Sequence, residues 1–352
     1  MGALLCTGCG GAEPAEATDT AMGTVIRQKI YGGDKEVLEE NQRLLEEMER
    51  DLLSWRLETS EIYRINETAG SPEGVVVSER LSPILSECLA LSEKSEGAFD
   101  ITIGGVTRLW NLDVWAASEN QDAFEVPEEA AIRAALENCG SGKLHWEEEK
   151  SLLYLPEKMA LDLGAVGKGI ALDGLLEKLQ ANKKVGGAVI SVGGSVLVYG
   201  EKPDGSSFRI GIVNPFQPSE YLGTLELKGE WCVSTSGDYE RYVEKDGKRY
   251  HHIINPDTGY PAESGLCSVT VLSGSGFLSD ALSTACFVLG SERGKALAES
   301  YGAEAVFVER DGRISMTAGM DKYCVEIKNK VHYGTEKEKV VADGREYIHS
   351  CK

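Results

Sequence analysis

The chain has 352 residues, with 57 Asp plus Glu against 36 Lys plus Arg and a formal net charge of −21. That acidity argues against a nucleic-acid partner, because duplex binding depends on Lys and Arg neutralising phosphates. An apolar share of 42% builds a core and excludes disorder as the main description, and no stretch reaches the ~20 apolar residues of a membrane span.

At the N-terminus, Cys6-Thr7-Gly8-Cys9 has C-x-x-C spacing without the second ligand pair or βαβ context that zinc or redox chemistry needs. The segment 3–11 is small and apolar before the chain turns polar, and it resembles the end of a bacterial lipoprotein signal with Cys9 as acceptor. Residues 1–20 are therefore expected to be a partial signal and tether, and 13–20 is rich in Ala, Glu, Thr and Pro. That expectation puts the protein outside the cytoplasm, held at the cell membrane only through lipid on Cys9. The other seven cysteines are scattered and do not form a disulfide framework.

Helices follow at 37–53, 81–95 and 128–139, with Pro83 near the start of the second and Gly140 stopping the third. Strands are expected at 152–155, 159–163, 188–192 and 196–199, and 168–180 has helical spacing. Further strands fall at 208–213, 222–227, 231–234, 267–272 and 305–309, with helices at 278–289 and 291–301. Segments 239–244 and 250–254 flank Asp246-Gly247, a hairpin turn pair. The mixture predicts an α+β fold, a single catalytic domain over 21–326 built of two largely antiparallel sheet lobes with packed helices. A charged extension, 327–352, follows with no assigned function.

Six stretches could carry chemistry. Asp162-Leu163-Gly164-Ala165-Val166-Gly167-Lys168-Gly169 ends a strand, turns through glycines and enters a helix, where free N–H groups suit an anion. It matches neither the P-loop nor G-x-G-x-x-G. His251-His252 are adjacent on an expected strand, so they point to opposite faces, one to a site and the other to solvent. Asp280 and Thr284 share a helix face as hard oxygen ligands, although an acid so near a helix start also reads as a simple cap. Gly97-Ala98-Phe99-Asp100, Met22-Gly23-Thr24 and Ser54-Trp55 with Asn66 are weak alone, and Phe99 or Trp55 by itself reads as a core aromatic.

In chain order, these elements together with Gly193-Gly194, the segment 252–256 and the Asp-Ala-Leu-Ser-Thr run at 280–284 resemble the FAD:protein FMN transferase (ApbE) family of bacterial flavin transferases. The resemblance covers about 21–326. It implies that Met22, Trp55, Ala98, Phe99, Asp100, Asp162, Lys168 and Ile254 contact FAD, the substrate. Mg²⁺ would be held by the Ala165 carbonyl, Asp280 and Thr284, with Ser283 adjacent. His252 stands at the family's histidine beside the diphosphate, as base or, if protonated, as an electrostatic stabiliser. Trp55 stands where Tyr is frequent, and Lys168 where some members carry Glu. The implied reaction moves FMN from FAD to a Ser or Thr hydroxyl of an acceptor flavoprotein, a redox-pump subunit or an exported reductase, and releases AMP. Hydrolysis of FAD to FMN and AMP, a non-catalytic flavin-binding lipoprotein and a flavin- or NAD-dependent oxidoreductase are the alternatives. The last lacks a dinucleotide fingerprint.

Overall fold

Strands that are apolar at every position need cover on both faces, and this requirement sets the architecture. The computed structural model describes residues 13–327. Eight strands form one antiparallel sheet, ordered Ala15–Ala21, Thr24–Tyr31, Gly187–Val192, Ser195–Gly200, Trp231–Gly237, Leu266–Ser273, Glu304–Glu309 and Ile314–Met316. Alternate side chains of its central strands enter two different cores. Ile190, Leu197, Val271 and Phe307 pack under the helices. Val189, Val196, Leu272 and Val306 pack on a three-stranded sheet of Phe208–Val213, Tyr221–Leu227 and Cys324–Ile327. A third cluster, around Trp110, Phe124 and Ile254, walls the cleft described below. The α+β, largely antiparallel expectation holds.

Several boundaries differ. Residues 13–20 are not a tether throughout, because Ala15–Ala21 is an edge strand paired along its whole length with Thr24–Tyr31. The turn between the two strands is Met22-Gly23, both at positive φ (55° and 66°), the backbone of a tight hairpin turn that matches strand twist. The 37–53 stripe is a Lys35–Glu47 α-helix continued by a wider π-helical turn, Met48–Leu53. That turn carries Glu49, whose Oε2 accepts the Met22 N–H at 2.7 Å. Residues 159–163 pair only through an isolated parallel bridge, Ala160 with Ile103, rather than as a strand. The expected hairpin is present but shorter, Tyr242–Lys245 with Lys248–His251. Cys9 and 328–352 lie outside the described residues. Among the described residues the cysteines are unpaired and all but Cys324 are buried.

Two helices position the site. Gly167–Ala181 buries residues all around its first turn, which is why its sequence shows no clean apolar stripe. Gly276–Leu289 crosses it so closely that a Cβ on Gly169 would overlap the Gly276 carbonyl oxygen, and the converse holds for Gly276. Each helix supplies a carboxylate to the other's start. Asp173 accepts N–H groups from Gly276 at 2.6 Å and Phe277 at 2.7 Å, and Asp280 accepts the Gly169 N–H at 2.9 Å. Burial pushes the Asp173 carboxyl upward, opposed by those N–H groups.

Gly276→Ala is expected to lower unfolding free energy by about 1–3 kcal/mol in urea melts, the usual cost of overpacking. Gly105→Ala is the control: an added Cβ there meets nothing within 4 Å, so no loss is expected.

Candidate active site

A cleft opens between the Trp110 cluster and the ends of the central strands. One wall carries Trp55, Ala98, Phe99, Asp100 and Asp162, and the floor is Gly164, Ala165 and Lys168. The opposite wall carries Thr235, Ser236, Arg241, His252, Ile254 and Thr284. Ten of the thirteen expected site residues line this cleft and an eleventh, Asp280, is bonded to it through Lys168, but Met22 and Ser283 are not in the lining. Met22 packs behind the floor, with its Cε 3.9 Å from where a Gly167 Cβ would lie.

The aromatic end is already dressed with charge. The Arg56 guanidinium lies 3.8 Å from the Trp55 ring centroid and Arg108 lies 4.8 Å from it, both at cation–π distance. Asp113 holds Arg56 at 2.6 Å. The two wall carboxylates are fixed by their own loops. Asp162 accepts Gly164 N–H at 2.8 Å and the Thr107 hydroxyl at 2.7 Å. Asp100 accepts from Thr102 N–H and hydroxyl at 2.8 and 2.7 Å, and from Ser141 N–H at 3.1 Å.

The floor departs from the expectation of a helix start open to an anion. The Gly169 N–H is occupied by Asp280, because the crossing helix delivers a carboxylate there. Nor does Asp280 cap its own helix, which begins at Gly276 and is capped by Ser275 through the Leu278 N–H. The Asp280 carboxylate is buried, accepts the Ser195 hydroxyl at 3.2 Å and pairs with the Lys168 ammonium at 3.2 Å. Beside it, Ser236 Oγ lies 2.7 Å from Ser283 Oγ and 3.3 Å from Thr284 Oγ1. These donors are hard oxygens around a single carboxylate. Among the described residues no group of three or more His, Cys, Asp or Glu could hold a metal. Such a set does not suit a soft metal. It fits Mg²⁺, which takes one or two carboxylates and completes its shell with water and substrate phosphate.

The two histidines do point apart, but neither faces solvent as one was expected to. His251 is buried in the core, its Nε2 3.1 Å from the Ala262 carbonyl and its ring edge-on to Phe287. His252 turns to the cleft, with its backbone N–H and its Nδ1 at 3.1 and 3.2 Å from the Arg241 carbonyl. A carbonyl only accepts, so Nδ1 carries the proton and Nε2 offers a lone pair. Desolvation, then the Arg241 charge, then His251 and Lys168, depress the imidazole to about 3, so it is neutral at pH 7.

The model of the ApbE family matches residues 22–307. The chain belongs to the ApbE family. A Treponema pallidum protein named FAD:protein FMN transferase is 32% identical over 91% of this chain and 93% of its own length. One from Klebsiella pneumoniae with the same name is 34% identical over 84% and 90%. Among solved structures, the apo flavinyl transferase ApbE of Pseudomonas stutzeri is 32% identical with a TM-score of 0.75, over 89% of this chain and 98% of its own. The ApbE protein of Thermotoga maritima, 29% identical, has a TM-score of 0.78 over 88% and 99%.

Sequence reading of this ApbE chain missed Thr107, Ser195, Ser236 and Arg241. The run Ser234-Thr235-Ser236-Gly237-Asp238, three hydroxyls at a strand end before a glycine, was the available signal for the last wall.

Asp280→Ala leaves the Gly169 N–H and the Lys168 ammonium without their carboxylate, and is expected to destabilise by about 1–3 kcal/mol in urea. Asp280→Asn keeps an acceptor oxygen for Gly169 and should cost less. Equal losses in the two variants would contradict this account of the pair.

Proposed function

We propose that this enzyme, a transferase of the FAD:protein FMN type, moves FMN from FAD to a Ser or Thr hydroxyl of an acceptor flavoprotein and releases AMP. The observation that carries the reading is the neutral His252 facing the same cleft as the Lys168–Asp280 pair and the Trp55 face. In the step, the acceptor oxygen bonds to the FMN-side phosphorus while the bond from that phosphorus to the bridging oxygen breaks. His252 Nε2 takes the hydroxyl proton, and AMP departs with the bridging oxygen. Asp280, Thr284, Ser283 and the Ala165 carbonyl would hold Mg²⁺, which neutralises charge on phosphoryl oxygens when bound. Asp162, Asp100 and Phe99 shape the flavin-side wall, and Trp55 offers a stacking surface.

The acceptor we infer is an exported reductase or a redox-pump subunit, reached from an anchor at Cys9. Mass spectrometry of the mature N-terminus should find diacylglyceryl on Cys9, and an unmodified Met1 in native cells would exclude the anchor.

The assay is incubation with FAD, Mg²⁺ and an acceptor domain, followed by a denaturing gel. Covalent flavin fluorescence on the acceptor is expected. Free FMN with an unlabelled acceptor would show hydrolysis instead, and tight FAD binding without AMP would show a storage protein. Asp280→Asn should lose the dependence of rate on Mg²⁺ concentration.

The acid side of the pH profile tests His252. A base acts when unprotonated, so its depression to about 3 extends activity toward acid. kcat/KM should stay level from pH 8 to about 5 with no limb near the ordinary histidine value of about 6.5. A bound diphosphate brings negative charge toward the imidazole and raises its basicity, so the kcat limb should lie above the kcat/KM limb. A kcat/KM limb near 6.5 would remove His252 in this neutral, desolvated state.

A further inference from the structure

We propose that the Arg241 guanidinium binds the diphosphate of FAD directly, as a catalytic residue beside His252; this deepens the transferase reading and rests on it. Three cations line the cleft: Arg56, Lys168 and Arg241. Arg56 is paired with Asp113 and Lys168 with Asp280. Arg241 is half-buried, and among the described residues no side chain forms an ion pair or hydrogen bond with it. A half-buried guanidinium that faces a cleft without a carboxylate is placed for an anionic ligand, and its planar fork matches phosphate oxygens in pairs.

Position strengthens the assignment. The Arg241 carbonyl holds both the backbone N–H and the Nδ1 of His252. One residue thus sets the direction of the Nε2 lone pair and carries the free positive charge next to it. Both side chains line the same cleft, as a shared phosphate ligand requires. The need is acute in a chain of net charge −21, whose other cleft cations are neutralised by their own carboxylates. At the glycine turn, the Gly169 N–H is already taken by Asp280.

The test measures binding to the full chain by fluorescence or calorimetry with three probes, FAD, ADP and riboflavin, before any acceptor is added. Arg241→Gln should weaken FAD and ADP by about tenfold or more, the scale of one lost charge-assisted contact, and leave riboflavin within about twofold. Arg241→Lys should recover part of the loss, since it restores charge without the fork. Unchanged FAD and ADP affinity in Arg241→Gln would overturn the proposal, and so would an equal loss of riboflavin, which marks a collapsed wall. If wild type binds FAD but only this variant behaves as predicted without any acceptor labelling, the transferase reading fails and the diphosphate contact stands. If wild type transfers FMN and Arg241→Gln binds FAD normally, the contact fails alone.

Discussion

Everything at the floor of the cleft depends on two helix starts held against each other. Gly169 and Gly276 allow the backbones to touch, and Asp173 and Asp280 each satisfy N–H groups at the other helix's beginning. Free N–H groups at a buried helix start are costly, so this exchange fixes how the helices cross. It also fixes where the Asp280 carboxylate lies. Lys168, one residue before Gly169, and Thr284, one turn after Asp280, are brought to the cleft by the same contact. The proposed chemistry is therefore mounted on a close, hydrogen-bonded crossing of the two helices.

Charge follows from that placement. In the proposed reading, the carboxylate at the helix start makes the floor a place for a cation, and Arg241 with a neutral His252 makes the other side a place for phosphate. The net charge of −21 does not prevent a diphosphate from binding, because the field that matters is local. The same desolvation that keeps His252 neutral leaves its lone pair available as a base.

Much of the fold was legible because its strands and helices obey simple periods, and the family motifs placed most of the cleft wall. What escaped notice had physical reasons. Ala15–Ala21 reads as linker because its residues are small and acidic, and only pairing through the Met22-Gly23 turn makes it a strand. Asp280 looked like a cap for its own helix, since sequence shows a helix start but not the neighbouring helix that claims the carboxylate. His251 reads as solvent-facing because a strand's second face is exposed unless another layer covers it, and here Phe287 does. Arg241 was invisible as a site residue because its partner is the carbonyl-to-imidazole contact across a hairpin.

The most direct measurement is intact-mass analysis of an acceptor domain after incubation with the chain, FAD and Mg²⁺, with AMP quantified in the same reaction. The account predicts an acceptor heavier by one FMN on a Ser or Thr, with AMP released in equal amount. An unmodified acceptor with free FMN, or no AMP at any Mg²⁺ concentration, would contradict it.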